Sequence, residues 1–183
     1  MGTLPRPYER KGRRCRGERP RAPMAQIHPG FYSSGMLWLL RHAEAADGAP
    51  DDERPLTERG TLQAEAAGRA LANLRVKIDA CLSSPKLRAL QTARIACEPL
   101  GVEVSVESRL SGSPFDAADL TAGLGNVLLV GHDPSFTLLV HDLTGAQARM
   151  RKGGLAAIDK GELISLLRPT ELAAIAAAGE RVA

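Results

Sequence analysis

The run "VLLVG" at Val127–Gly131 restricts the fold more than any other stretch. It contains no alternating polar residue, so a strand here must be covered on both faces and belongs at the centre of a sheet. From Met36 onward, similar short apolar runs alternate with helical patterns. That alternation predicts an α/β domain with a largely parallel sheet. Leu37–Leu40 reads as the first strand. Residues 56–74 read as a helix, with Thr57 as its N-cap and Leu62, Ala66, Ala70 and Leu74 spaced for an apolar face. "IDACLSS" reads as a second strand. Residues 86–101 read as a second helix that turns Leu87, Leu90, Ile95 and Cys97 inward and stops at Gly101. "VEVSVE" is a short strand. "PSFTLLVHDLTG" is a helix from Pro134 to Gly145. "GLAAIDKGELISLL" reads as two strands around a Lys-Gly turn, and "PTELAAIAAAG" as a closing helix.

The charge is unevenly distributed. Residues 1–35 hold eight Arg or Lys against two Glu, while residues 36–183 hold 16 basic and 19 acidic residues. The first segment is rich in Pro, Gly and Arg, has little to bury, and is expected to be disordered. Either it is a basic extension, or translation starts at Met24 or Met36 and the segment is an artefact of start assignment. The organisation expected is therefore a basic N-terminal extension over 1–35 and a single domain over 36–183. No apolar run is long enough to span a bilayer. Three cysteines without CxxC spacing argue against a disulfide framework or a cysteine zinc site, and suit a reducing, cytoplasmic compartment. An acidic body with 3% aromatics argues against nucleic-acid binding.

Three junctions share one design: a strand end, a turn and a helix start. The first carries Arg41 and His42, the second Arg88 within "SSPKLRALQT", the third His132 within "LLVGHDP". In an open parallel sheet such ends line the ligand crevice. Two Arg and two His meeting there, beside helix N-termini, would make an anion pocket suited to a phosphoryl group. Taken singly, each is more often a solvated edge, a surface charge or a cap. His141 and His28 have no such setting, and no His spacing suggests a metal ligand set.

Four segments in order, "RHAEA", "RPLTERG", "SSPKLRALQTA" and "VGHDP", resemble the histidine phosphatase superfamily, and within it the SixA-type phosphohistidine phosphatase branch. The resemblance covers most of residues 37–140. It implies a three-layer α/β/α sandwich of the phosphoglycerate mutase-like kind. It also implies His42 as nucleophile, through a phosphohistidine intermediate, with Arg41, Arg88 and His132 around the phosphoryl oxygens. No cofactor and no metal are implied. The implied partner is a phosphorylated protein of the histidine phosphotransfer kind or a small phosphate ester, with no membrane involved.

Two departures stand out. Ala43 replaces the family's glycine after the nucleophile. The general acid has no motif: Asp116 and Asp119 are candidates, with Glu107 nearby in sequence, and Glu44 lies beside the nucleophile. Helix capping is the competing role for Asp116, and orientation of an Arg or a loop for Glu44. A phosphorus–nitrogen bond is labile enough to need such an acid less. The leading function is a metal-independent phosphatase acting on phosphohistidine. Phosphatase action on small esters and a non-catalytic phosphate-binding module are the alternatives.

Overall fold

The computed structural model describes residues 35–179. The expectation for the basic N-terminal segment, with Cys15 and His28, lies outside the described residues except for Gly35. Six strands form one sheet: β1 (Leu37–Arg41), β2 (Ala80–Ser83), β3 (Val104–Val106), β4 (Val127–Gly131), β5 (Leu155–Asp159) and β6 (Glu162–Leu167). Their order is β3-β2-β4-β1-β5-β6. The four strands β3, β2, β4 and β1 run parallel, and β5 and β6 join antiparallel. All five residues of β4 are buried, as their unbroken apolar run requires.

Five helices cover the sheet: α1 (Glu58–Asn73), α2 (Leu87–Cys97), α3 (Ala117–Thr121), α4 (Ser135–Thr144) and α5 (Pro169–Gly179). Side chains alternate across β1, so Trp38 and Leu40 pack in one apolar layer with residues of α1, α2 and α5. Leu37 and Leu39 pack in the other, with residues of α3 and α4. The result is the three-layer α/β/α sandwich. Among the described residues no helix is long and apolar enough to cross a membrane.

The predicted elements stand within a few residues of the observed ones, but two helix faces are corrected. On α1, Leu62 and Leu74 are 57% and 51% exposed. Ala66 and Ala70 are buried as expected, in a face completed by Gly60, Ala64, Ala67, Gly68 and Leu71. On α2, Leu87, Leu90 and Ile95 are half-buried, while Ala89, Thr92, Ala93, Ala96 and Cys97 are buried. Close packing is the reason. A Cβ on Gly68 would lie 2.5 Å from the Ala96 carbonyl oxygen, so α1 and α2 touch through small residues and leave larger ones at the margin. Helix α3 is too short for its periodicity to register in the sequence.

Candidate active site

The sheet register brings the catalytic candidates together. Arg41 pairs with Gly131 and Ser83 with Val130. One residue further, the His42 N–H donates to the Gly131 carbonyl at 2.9 Å and the Ser84 N–H to the Val130 carbonyl at 2.9 Å. His42, Ser84 and His132 therefore emerge side by side from β1, β2 and β4. The two imidazole centroids are 5.1 Å apart. Arg88, in the first turn of α2, lies within Coulombic reach of both rings. His42, His132 and Arg88 are 6%, 6% and 7% exposed, which is unusual for such polar groups outside a built site.

Hydrogen bonds set the orientation of each group. His42 Nδ1 is 2.7 Å from the Ala43 carbonyl oxygen. A carbonyl only accepts, so Nδ1 carries the proton and the neutral ring keeps its lone pair on Nε2. His132 Nε2 is 2.9 Å from Ser84 Oγ. Arg88 donates from Nη1 to the Asp51 carbonyl at 2.6 Å and from Nη2 to the Asp51 carboxylate at 3.0 Å. Arg41 donates from Nη1 to the Met150 carbonyl at 2.7 Å and faces the Asp133 carboxylate at 3.5 Å. Its Nε is buried without a partner, the one such side-chain nitrogen or oxygen among the described residues. An orphaned guanidinium donor beside a pair of imidazoles fits a site that awaits an acceptor.

Thr92 ties the two halves of the site. Its Oγ1 donates to the Arg88 carbonyl at 2.7 Å and accepts from the Ala43 N–H at 3.0 Å. Ala43 is fully buried and has no positive φ, so the alanine in the family's glycine position carries no backbone strain. Sequence reasoning did not single out Ser84, Thr92, Asp51 or Asp133. Ser84 and Thr92 lie within the quoted "SSPKLRALQTA", but a hydroxyl's partner is invisible until the strands are paired.

The acid candidates go elsewhere. Asp116 caps α3, accepting from the Ala118 N–H at 2.8 Å. Glu107 forms a two-point pair with Arg109, at 3.0 and 2.9 Å, and Asp119 lies near that same arginine. Glu44 accepts from Thr57 Oγ1 at 3.2 Å and faces Arg59 at 3.6 Å. No hydrogen bond or ion pair joins any of these four to Arg41, His42, Arg88 or His132. The carboxylate that reaches Arg88 is Asp51, which also faces Lys86 at 3.2 Å and Arg54 at 3.0 Å. Hydrogen bonds from Arg88 and Lys86 hold its carboxyl well below the usual range, so it is an anion and no proton donor. Among the described residues, no three His, Cys, Asp or Glu side chains are grouped to hold a metal ion.

Burial lowers both imidazoles. His42 is brought to about 4, chiefly by desolvation, with Arg88, Arg41 and Lys152 adding to the shift and the Ala43 carbonyl opposing it. His132 is brought to about 3 by desolvation, then by His42, Arg88 and Lys86. Both rings are therefore neutral at pH 7. In the unfolded chain they titrate near 6.5. Above that value neither state binds protons. As pH falls from about 6.5 toward 4, the unfolded chain takes up protons that the folded one refuses, so stability falls. At pH 5 the pair is expected to cost roughly 4 kcal/mol relative to pH 7.5. Urea unfolding at the two pH values measures this, and a His42→Asn/His132→Asn variant should lose that part of the pH dependence.

Known proteins resemble this chain in sequence and in fold. Residues 37–119 match the family model of the histidine phosphatase superfamily, branch 1. The phosphohistidine phosphatase SixA of Escherichia coli is 31% identical over 117 residues, a match covering 58% of this chain and 73% of that protein. The structure of a protein histidine phosphatase SixA complexed with tungstate superposes with a TM-score of 0.66 at 26% identity, over 75% of this chain and 99% of that one. A structure described as a phosphohistidine phosphatase SixA from Agrobacterium tumefaciens gives 0.68 at 27% identity, over 74% and 98%. With the motifs, the topology and these likenesses in agreement, the chain belongs to the histidine phosphatase superfamily, is of the SixA type, and is a phosphatase.

Proposed function

We propose that this phosphatase dephosphorylates phosphohistidine in a signalling phosphotransfer protein, in the cytoplasm, through a covalent intermediate on His42 and without a metal ion. The observation that carries the reading is the His42 tautomer. Its Nδ1–H is committed to the Ala43 carbonyl, which leaves Nε2 as a neutral nucleophile among Arg41, Arg88 and His132. Residues 36–183 would form the catalytic domain.

The steps balance without a strong acid. His42 Nε2 attacks phosphorus as the substrate's P–N bond breaks. The departing imidazole leaves neutral, because its other ring nitrogen already carries a proton. Water then attacks the phospho-His42, inorganic phosphate departs, and the water's proton goes to phosphate or solvent. Arg41 and Arg88 meet the charge on the equatorial oxygens, and His132 donates to the same group once a bound dianion raises its proton affinity. Carboxylates engaged in a cap or in ion pairs support a leaving group that needs little protonation. The tungstate held by a SixA relative supports a tetrahedral oxyanion as the ligand.

The test compares a phosphohistidine-bearing phosphotransfer domain with p-nitrophenyl phosphate, both in EDTA. The expected result is a kcat/KM at least 100-fold higher for the phosphoprotein, unchanged by EDTA. Faster turnover of the small ester would make the protein an ester phosphatase, and loss of activity in EDTA would refute the metal-free route. Turnover of neither compound, with phosphate still bound, would leave a binding module.

A further inference from the structure

The segment between α4 and β5 carries more positive charge than one phosphoryl group needs. Arg149, Arg151 and Lys152 are exposed, while Met150 among them is fully buried. The backbone here is bonded directly to the end of β1. Arg41 Nη1 donates to the Met150 carbonyl at 2.7 Å, and the Arg41 N–H to the Gly154 carbonyl at 3.0 Å. The Gly153 N–H lies 3.1 Å from the Arg41 carbonyl oxygen and 3.0 Å from that of His42. On the other side, the Met150 N–H donates to Thr137 Oγ1 at 3.3 Å. The three cations thus stand on a fastened platform against the two residues that open the site. Arg149 and Arg151 are within Coulombic reach of Arg41, and Lys152 of His42.

None of the three has a carboxylate partner among the described residues, whereas Arg54, Arg59, Lys86, Arg88 and Arg109 all do. The patch is local, because residues 36–183 have an acidic excess. Arg41, Arg88 and the two imidazoles already face the phosphoryl position. Three more cations therefore call for negative charge outside the phosphoryl group. Long exposed side chains on a loop suit an acidic surface better than an enclosed small molecule.

We propose that Arg149, Arg151 and Lys152 form a docking rim for acidic side chains that flank the phosphorylated residue of a protein substrate. This rests on the reading of the site as a phosphoprotein phosphatase and adds the chemistry of the partner's surface. The rim acts on encounter and orientation, and its effect weakens with salt as exposed charges are screened.

The experiment uses fluorescein-labelled peptides bearing a non-hydrolysable phosphonate analogue of phosphohistidine, flanked either by Asp and Glu or by Asn and Gln. Binding to the full chain is read by anisotropy. The acidic peptide is expected to bind about 10-fold tighter at 50 mM salt. That preference should fall below about twofold in 0.5 M salt and in an R149Q/R151Q/K152Q variant, with the neutral peptide's Kd little changed. If the triple variant fails to fold by circular dichroism, K152Q and R151Q are measured singly and should each lose part of the preference. A preference that survives the substitutions overturns the rim. A phosphoserine pair with the same flanks separates the two readings. An acidic preference seen only there keeps the rim and removes phosphohistidine as substrate, while its absence from both pairs removes the rim.

Discussion

A His42→Ala variant is expected to lose turnover by roughly 10⁴-fold or more while still binding tungstate. The asymmetry follows from the site. In the proposed mechanism Nε2 of His42 supplies the bond to phosphorus, and no neighbour offers a second nucleophile at that position. His132, 5.1 Å away between centroids, has its own Nε2 engaged with Ser84. Under the proposed mechanism anion binding is shared instead among Arg41, Arg88 and His132, which the substitution leaves in place. Steady-state rates with a phosphohistidine substrate, tungstate titration by calorimetry, and trapping of an acid-labile, base-stable phosphoryl label together check this. Full turnover by the variant would remove His42 from the chemistry. Loss of tungstate binding along with turnover would mean that the ring holds the pocket open rather than attacks.

Replacing Gly60 with alanine is expected to destabilise the fold by about 3 kcal/mol or more, and to cut activity even in the molecules that fold. An added Cβ would lie 1.9 Å from the Glu44 carbonyl oxygen and 2.9 Å from its carbon. Both are backbone atoms, so no side-chain rotation relieves the clash. The same carbonyl accepts from the Thr57 N–H at 3.1 Å, and Thr57 caps α1 through the Gly60 N–H at 3.0 Å. The start of α1 is thus pressed against the loop that follows His42, and separating them displaces the backbone that supports this ring. Urea unfolding and kcat measured on the same preparation test both parts. A variant with wild-type stability would show that the loop can yield without cost.

These two residues mark how differently parts of the molecule can be read from the chain. His42 was legible because it ends a strand in a segment with a recognisable order of motifs. Gly60 was legible only as a letter in "RPLTERG"; its reason, the approach of two backbones, is a tertiary fact. The helix faces show the same division. Periodicity places Leu62, Ala66, Ala70 and Leu74 on one face; the two alanines are buried, but the leucines are exposed because α2 sits too close to α1 for larger groups. The acidic residues divide likewise. For Asp116 the residue type alone offers capping as a competing role, although the five-residue helix it caps does not register as a pattern. Asp51, the carboxylate bound to Arg88, opens a single 3-10 turn over Asp51–Glu53 that has no periodicity to read, 37 residues from its partner.

Local pattern in the chain was enough for the α/β class, the central place of Val127–Gly131, the N-cap at Thr57 and the four residues grouped at the strand-to-helix junctions. These follow from local pattern and from the rule that parallel strands share an edge. It took the assembled fold to show which nitrogen of His42 is free, what Arg88 and Arg41 hold, and that Arg149, Arg151 and Lys152 stand beside the site. Those depend on hydrogen bonds and charges between segments far apart in the chain, and no local pattern encodes which carbonyl or hydroxyl the fold will bring within 3 Å.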